Sequence, residues 1–187
     1  VVDRRRLDRR ALLRLALTST TLGTLPAMGL PAGCAAPPPP RPADDVAHPL
    51  AGLTDFEGAT LPAGALPAIV GRPATVVDFW ASWCQPCRQG FRYLDQLYRT
   101  WLGRGLDVIA VSVDDDPVAA RRFGASFRPR FPLAWDAHAD VRDRFGVVSL
   151  PTTVLLDGEG AVVVRNTGFD LADHRALEEH VRRLVEG

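Results

Sequence analysis

An α/β domain with a mixed central sheet flanked by helices is the fold class this sequence predicts, on three observations. β-rich apolar runs alternate with segments of helical periodicity, the pattern of strands joined through crossover helices. Two later runs are separated only by Asp157-Gly158-Glu159-Gly160, a turn sequence that makes them an antiparallel hairpin beside an otherwise parallel arrangement. The 187 residues, 47% hydrophobic and 24% charged, suffice for one domain with its own core and a tail.

Each element has a local reason. Leu53 to Leu61 reads as a short hairpin turning at Glu57-Gly58, an N-terminal extension of the domain. Thr75 to Ala81 is a β-rich run and a central strand. From Cys84 to Trp101, the residues Phe91, Leu94, Leu97, Tyr98 and Trp101 recur at helical spacing, and Gly103 stops the helix. Leu106 to Val113 is a second buried strand, after which Asp116 caps a helix with Pro117 in its first position. A hard-cation site is the alternative for the Asp114-Asp115-Asp116 run, but the further oxygen ligands and bidentate Glu of an EF-hand are absent. Phe131 to Trp135 is a short strand, and Ala139 to Phe145 is a helix stopped by Gly146. Thr152 to Leu156 and Ala161 to Arg165 form the hairpin, and Leu177, Val181, Leu184 and Val185 mark a final amphipathic helix.

All 22 basic residues are arginine and they balance 22 acidic ones. A basic nucleic-acid binder is therefore disfavoured, and lysine Schiff-base and P-loop chemistry are excluded. Residues 1–34 carry six arginines against Asp3 and Asp8 and read as an export signal. Their apolar stretch, Ala11 to Leu30, is too broken by Gly23, Pro26 and Gly29 to make a good spanning helix. Asp8-Arg9-Arg10-Ala11-Leu12-Leu13-Arg14 resembles a twin-arginine export motif, and Leu30-Pro31-Ala32-Gly33-Cys34 resembles a bacterial lipobox, with Pro31 where that pattern has Leu. The resemblance implies lipidation of Cys34; an ordinary cleavage site beside an incidental Cys is the alternative. Residues 35–49, with Pro37 to Pro40 and Pro42, form a stiff tether, and residues 50–187 form the folded domain. The expectation is an exported protein held to a membrane by its N-terminal lipid.

Chemistry concentrates at Cys84-Gln85-Pro86-Cys87, between a strand and a helix. A helix N-terminus favours a thiolate, so Cys84 becomes the exposed nucleophile, while Cys87, one turn later and more enclosed, resolves the mixed disulfide. Such exchange needs no cofactor beyond the Cys84–Cys87 disulfide and no metal. For a zinc site the other ligands would have to be His174 and His180, which six helical positions turn about 240° apart. Asp78 is a carboxylate inside an apolar run; desolvation raises its pKa and suits it to take the resolving thiol's proton, whereas pairing with an Arg would make it structural. Trp80 reads as core and Trp83 as an exposed rim beside Cys84.

The run Val77-Asp78-Phe79-Trp80-Ala81-Ser82-Trp83-Cys84-Gln85-Pro86-Cys87-Arg88 resembles the thioredoxin active-site signature. Phe145-Gly146-Val147-Val148-Ser149-Leu150-Pro151-Thr152-Thr153 resembles the loop that carries that family's cis-proline. Over roughly residues 50 to 187 the chain is similar to the TlpA/ResA-like extracytoplasmic thiol–disulfide reductases. The resemblance implies a thioredoxin-like fold, a cis Leu150–Pro151 bond facing the Cys84 sulfur, and substrate contacts from Trp83, Pro86, Leu150 and Pro151. It also implies that Asp78 matches thioredoxin's buried carboxylate, and that a monomer reduces protein disulfides with electrons from a membrane thiol donor. Two departures bear on the role. Gly90 stands where members that reduce apocytochrome c often carry Glu, and the Glu-x-Pro that commonly follows the motif is missing, which puts cytochrome c biogenesis in doubt. The alternatives are a disulfide oxidase or isomerase, since Gln85-Pro86 does not set the potential, and a non-catalytic binding module, which two intact cysteines disfavour.

Overall fold

In the computed structural model, β1 (Ala74–Trp80) is buried along its whole length, as befits a strand covered on both faces. The structure describes residues 48–62, 64, 66–68 and 71–187; the expected export signal with Cys34, and the expected tether as far as residue 47, lie outside them. β1 pairs in parallel with β2 (Leu106–Ser112), and β2 with β3 (Leu133–Trp135). On its other side β1 pairs antiparallel with β4 (Thr152–Asp157), which pairs antiparallel with β5 (Val162–Thr167). The result is a five-stranded mixed sheet in the order β3-β2-β1-β4-β5.

The parallel half needs crossovers, supplied by α1 (Cys87–Trp101) and α2 (Pro117–Phe127). Both connections advance across the sheet in one direction, so right-handed crossovers lay both helices on one face. Phe91, Leu94, Leu97 and Trp101 of α1, Ala120 and Phe123 of α2, and Leu177 and Val181 of α4 (Leu171–Glu186) share one core there. The opposite face is covered by Leu50, Leu53 and Leu66 together with Val141 of α3 (Asp140–Arg144) and Phe145 at that helix's C-terminal end. Strand alternation then puts Ala74, Val76, Asp78 and Trp80 on the α1 face and Val77 and Phe79 on the other.

Capping follows the sequence. Asp116 accepts the Val118 N–H at 2.8 Å with Pro117 in the first turn, and Asp170 accepts those of Ala172 and Asp173 at the start of α4. Asp157 accepts the N–H groups of Glu159 and Ala161 and so shapes the β4–β5 turn. Trp80 stacks on Phe123 at 5.2 Å and meets the edge of Phe91 at 5.0 Å, anchoring the end of β1 in the core. Gly124 lets α2 pass close over β3: a Cβ there would lie 2.6 Å from Leu133 Cδ1, so that side chain would have to shift, and 3.4 Å from the Trp80 ring.

One element differs from the sequence reading. α1 begins at Cys87 rather than Cys84, since Gln85 precedes a proline and is disfavoured from helical backbone. Residues 53–61 fold back on themselves with an antiparallel bridge between Thr54 and Thr60, and Thr54 bridges to Trp135 as well. Among the described residues no helix is long and apolar enough to cross a membrane.

Gly90 gives a direct test of packing in α1. It is buried, yet an added Cβ would meet nothing within 4 Å. Gly90→Ala is expected to stabilise the domain by about 0.5–1 kcal/mol, the helix propensity difference, read as a raised denaturation midpoint. A lowered midpoint would show that the space beside Cys87 is filled.

Candidate active site

β1 ends at Trp80, and the chain turns to present the cysteines before α1 begins. The turn is closed by the Cys84 N–H donating to the Ala81 carbonyl at 3.1 Å. Cys84 and Cys87 are joined in a disulfide, with Cα atoms 5.4 Å apart. The Cys87 N–H, first in the helix, donates to Cys84 Sγ at 3.3 Å. Pro86, in helical backbone at the N-cap position, provides no side-chain cap, so the sulfur takes a donor that a capping side chain would otherwise claim. A helix N-terminus with donors aimed at a sulfur favours its thiolate.

The expectation of an exposed Cys84 is corrected. It is only 4% exposed, against 1% for Cys87, because both sulfurs pack into the core on the α1 face. The surface is taken instead by Trp83, 72% exposed, and by Gln85 and Pro86. Cys84 is still the more accessible of the two.

Asp78 lies on that same face. Burial pushes its carboxyl up to about 7, opposed by the bond it accepts from Thr153 Oγ1, which measures 2.7 Å. Its Oδ2 has no hydrogen-bond partner among the described residues. The alternative of an Arg-paired, structural Asp78 is not what is seen: its partner is Thr153, opposite it in β4.

The Leu150–Pro151 peptide is cis. Pro151 is buried and its carbonyl accepts the Gly168 N–H at 2.8 Å. The Leu150 N–H and carbonyl enter no backbone hydrogen bond among the described residues, leaving main-chain groups for an incoming strand. Trp83 and Leu150, both singled out in the sequence, meet in one cavity of about 380 Å³, with Val113, Asp115, Arg142, Val147, Val148 and Ser149. Asp115, Arg142 and the fully exposed Val148 carried no sequence signal of such a role beyond their nearness to recognised segments.

Residues 52–165 match the AhpC/TSA family. The chain belongs to that family. The chain is similar to the thiol-disulfide oxidoreductase ResA of Bacillus anthracis, 31% identical over 133 residues that cover 71% of this chain and 73% of the relative. The ResA of Bacillus subtilis is 36% identical over 92 residues, 49% of this chain and 51% of that one. Among solved structures, one described as a thiol:disulfide interchange protein DsbE from Chlorobium tepidum aligns with a TM-score of 0.59 and 34% identity, covering 63% of this chain and 82% of the other. The thioredoxin-like fold expected from the two motifs is therefore the fold present, and the chain is a thioredoxin-type redox enzyme.

The raised pKa of Asp78 makes stability depend on pH. An unfolded Asp releases its proton near 3.8 and the folded one at about 7, so between those values the folded state binds more protons. Stability is then full below pH 3.8 and declines as the pH rises to about 7, by up to about 4 kcal/mol. Urea denaturation at pH 4 and pH 8 should show this loss in the wild type. Asp78→Asn, nearly isosteric, should largely remove it and be the more stable protein at pH 8. An equal pH dependence in both proteins would assign the loss to other groups.

Proposed function

We propose that this chain reduces protein disulfides outside the cytoplasm, cycling between the Cys84–Cys87 disulfide and its dithiol. The observation that carries the reading is a cysteine pair at a helix N-terminus that shares a sheet face with a buried carboxylate titrating at about 7. In the reduced enzyme the Cys84 thiolate attacks one sulfur of a substrate disulfide; the S–S bond breaks and the first substrate thiolate leaves. Cys87 then gives its proton to Asp78 and attacks Cys84 Sγ, which breaks the mixed disulfide and releases the second substrate thiolate. Substrate is reduced by two electrons and the enzyme pair is oxidised by two. A membrane thiol donor restores the dithiol by the same exchange in reverse.

An extended substrate segment pairs with the free main-chain groups of Leu150 by β-addition, beside the buried Pro151. Its apolar side chains lie against Trp83 and Val148. Recognition through backbone suits an enzyme with many substrates. The export signal and a lipid on Cys34 would hold the enzyme at the membrane where its donor resides. Mass spectrometry of the membrane fraction should find a diacylglyceryl-modified Cys34 at the mature N-terminus; a soluble mature chain starting elsewhere would remove the tether from the proposal.

Two measurements test the chemistry. Cys87→Ser should accumulate mixed disulfides through Cys84, and Cys84→Ser should accumulate none; adducts through Cys87 would reverse the roles. A redox titration should place the pair near about −270 mV, the range of reductants, whereas a value near about −120 mV would make it an oxidant.

A further inference from the structure

Asp114 lies two residues beyond the end of β2 and is 5% exposed. Its Oδ2 accepts the Ser82 N–H at 2.8 Å and the Ser112 hydroxyl at 2.8 Å, while Oδ1 accepts the Ser82 hydroxyl at 2.6 Å. The Asp114 N–H donates to Ser112 Oγ at 3.1 Å, and its carbonyl accepts Trp135 Nε1 at 2.7 Å. The side chain is thus tied to β2 on one side and to the turn carrying the cysteines on the other. Both carboxylate oxygens accept hydrogen bonds. Asp114 forms no salt bridge among the described residues. Arg88 and Arg122, which line a separate cavity of about 340 Å³ beside Ser82, are solvent-exposed, as are Asp115 and Asp116.

We infer that Asp114 is a positioning residue that fixes the Ser82-Trp83-Cys84 turn and keeps the reduction potential of the Cys84–Cys87 pair low; this rests on the reading of that pair as a thiol–disulfide exchange centre. Two effects act with the same sign. A carboxylate held in a poorly screened position disfavours a second anion nearby, so it destabilises the Cys84 thiolate and with it the reduced form; a pair whose reduced form is destabilised is a stronger reductant. The bonds to Ser82 also hold the turn in the geometry that brings the two sulfurs together. A looser turn lowers the effective concentration of one thiol at the other and shifts the balance toward the dithiol. Loss of Asp114 therefore raises the potential on both counts.

The test uses the full chain equilibrated in dithiothreitol redox buffers, with the dithiol fraction read by alkylation. Asp114→Asn, which turns one acceptor oxygen into a donor facing Ser82 or Ser112, should shift the exchange constant about tenfold toward the dithiol, about 30 mV upward for this two-electron couple. Ser82→Ala keeps the backbone bond and should shift it in the same direction by less. Asp116→Ala, which removes the α2 cap, should lower thermal stability and leave the potential unchanged. A folded Asp114→Asn protein whose exchange constant stays within about threefold of wild type would overturn the inference. Should that variant not fold, an unchanged potential in Ser82→Ala overturns it equally. The wild-type potential separately tests the reductase reading: an oxidising wild type would sink that reading while the shift caused by Asp114→Asn stayed measurable.

Discussion

Covering both faces of β1 is the constraint from which the rest of the structure follows. A strand buried at every position at the centre of a sheet has no face to give to water, so the chain must lay α1, α2 and α4 on one side and the N-terminal segment with α3 on the other. That arrangement forces the connection after Trp80 out at the C-terminal edge of the parallel strands, where open α/β sheets place their ligands. The cysteines occupy this connection. The same double cover removes water from Asp78, the one charged residue in an otherwise apolar or hydroxyl-bearing strand, so its raised pKa is a consequence of the packing that stabilises the sheet.

The reactive pair is subject to opposing electrostatic influences. The first N–H of α1 and the helix dipole favour a negative sulfur at Cys84, an effect of about 0.3–2 kcal/mol depending on burial. Buried carboxylates on the same side of the sheet oppose it. Asp78 is neutral for part of the physiological range because its pKa is about 7, so its opposition grows with pH. Helix geometry alone therefore does not dictate the redox poise, and neither does the Gln85-Pro86 dipeptide.

Much of this was legible in the sequence because it is local. Asp116 and Pro117 mark a helix start within two positions, and Asp157 to Gly160 specify a turn by their own side chains and backbone freedom. The nucleophile motif and the proline loop are contiguous strings. Burial of Cys84, by contrast, depends on how far Trp83 turns outward, and helix α1 starts late for a reason, Gln85 before Pro86, that the apolar spacing of Phe91 to Trp101 does not register. Asp114 reads as one of three similar acids; its partner Ser82 is 32 positions away, and only the parallel pairing of β1 with β2 brings the two together. Val148 and Arg142 enter the cavity through loop tertiary structure, for which no periodicity exists.

The proposed proton transfer needs a buried carboxylate with an oxygen to spare, and the described residues narrow the choice. Buried carboxylates are Asp78, Asp114 and Asp136. Asp136 accepts the N–H groups of Val141 and Arg142 and is occupied in capping α3. Asp114 has both oxygens engaged by Ser82 and Ser112. The first turn of α1 has no acidic residue at all, and Gly90 leaves the space there open. Asp78 alone among the three keeps an unpartnered oxygen, on the sheet face that Cys87 shares, and its pKa of about 7 lies within about two units of an ordinary thiol's. A group so placed can take a proton from a thiol and return it without a large thermodynamic penalty in either direction, which a reversible exchange enzyme requires of its base.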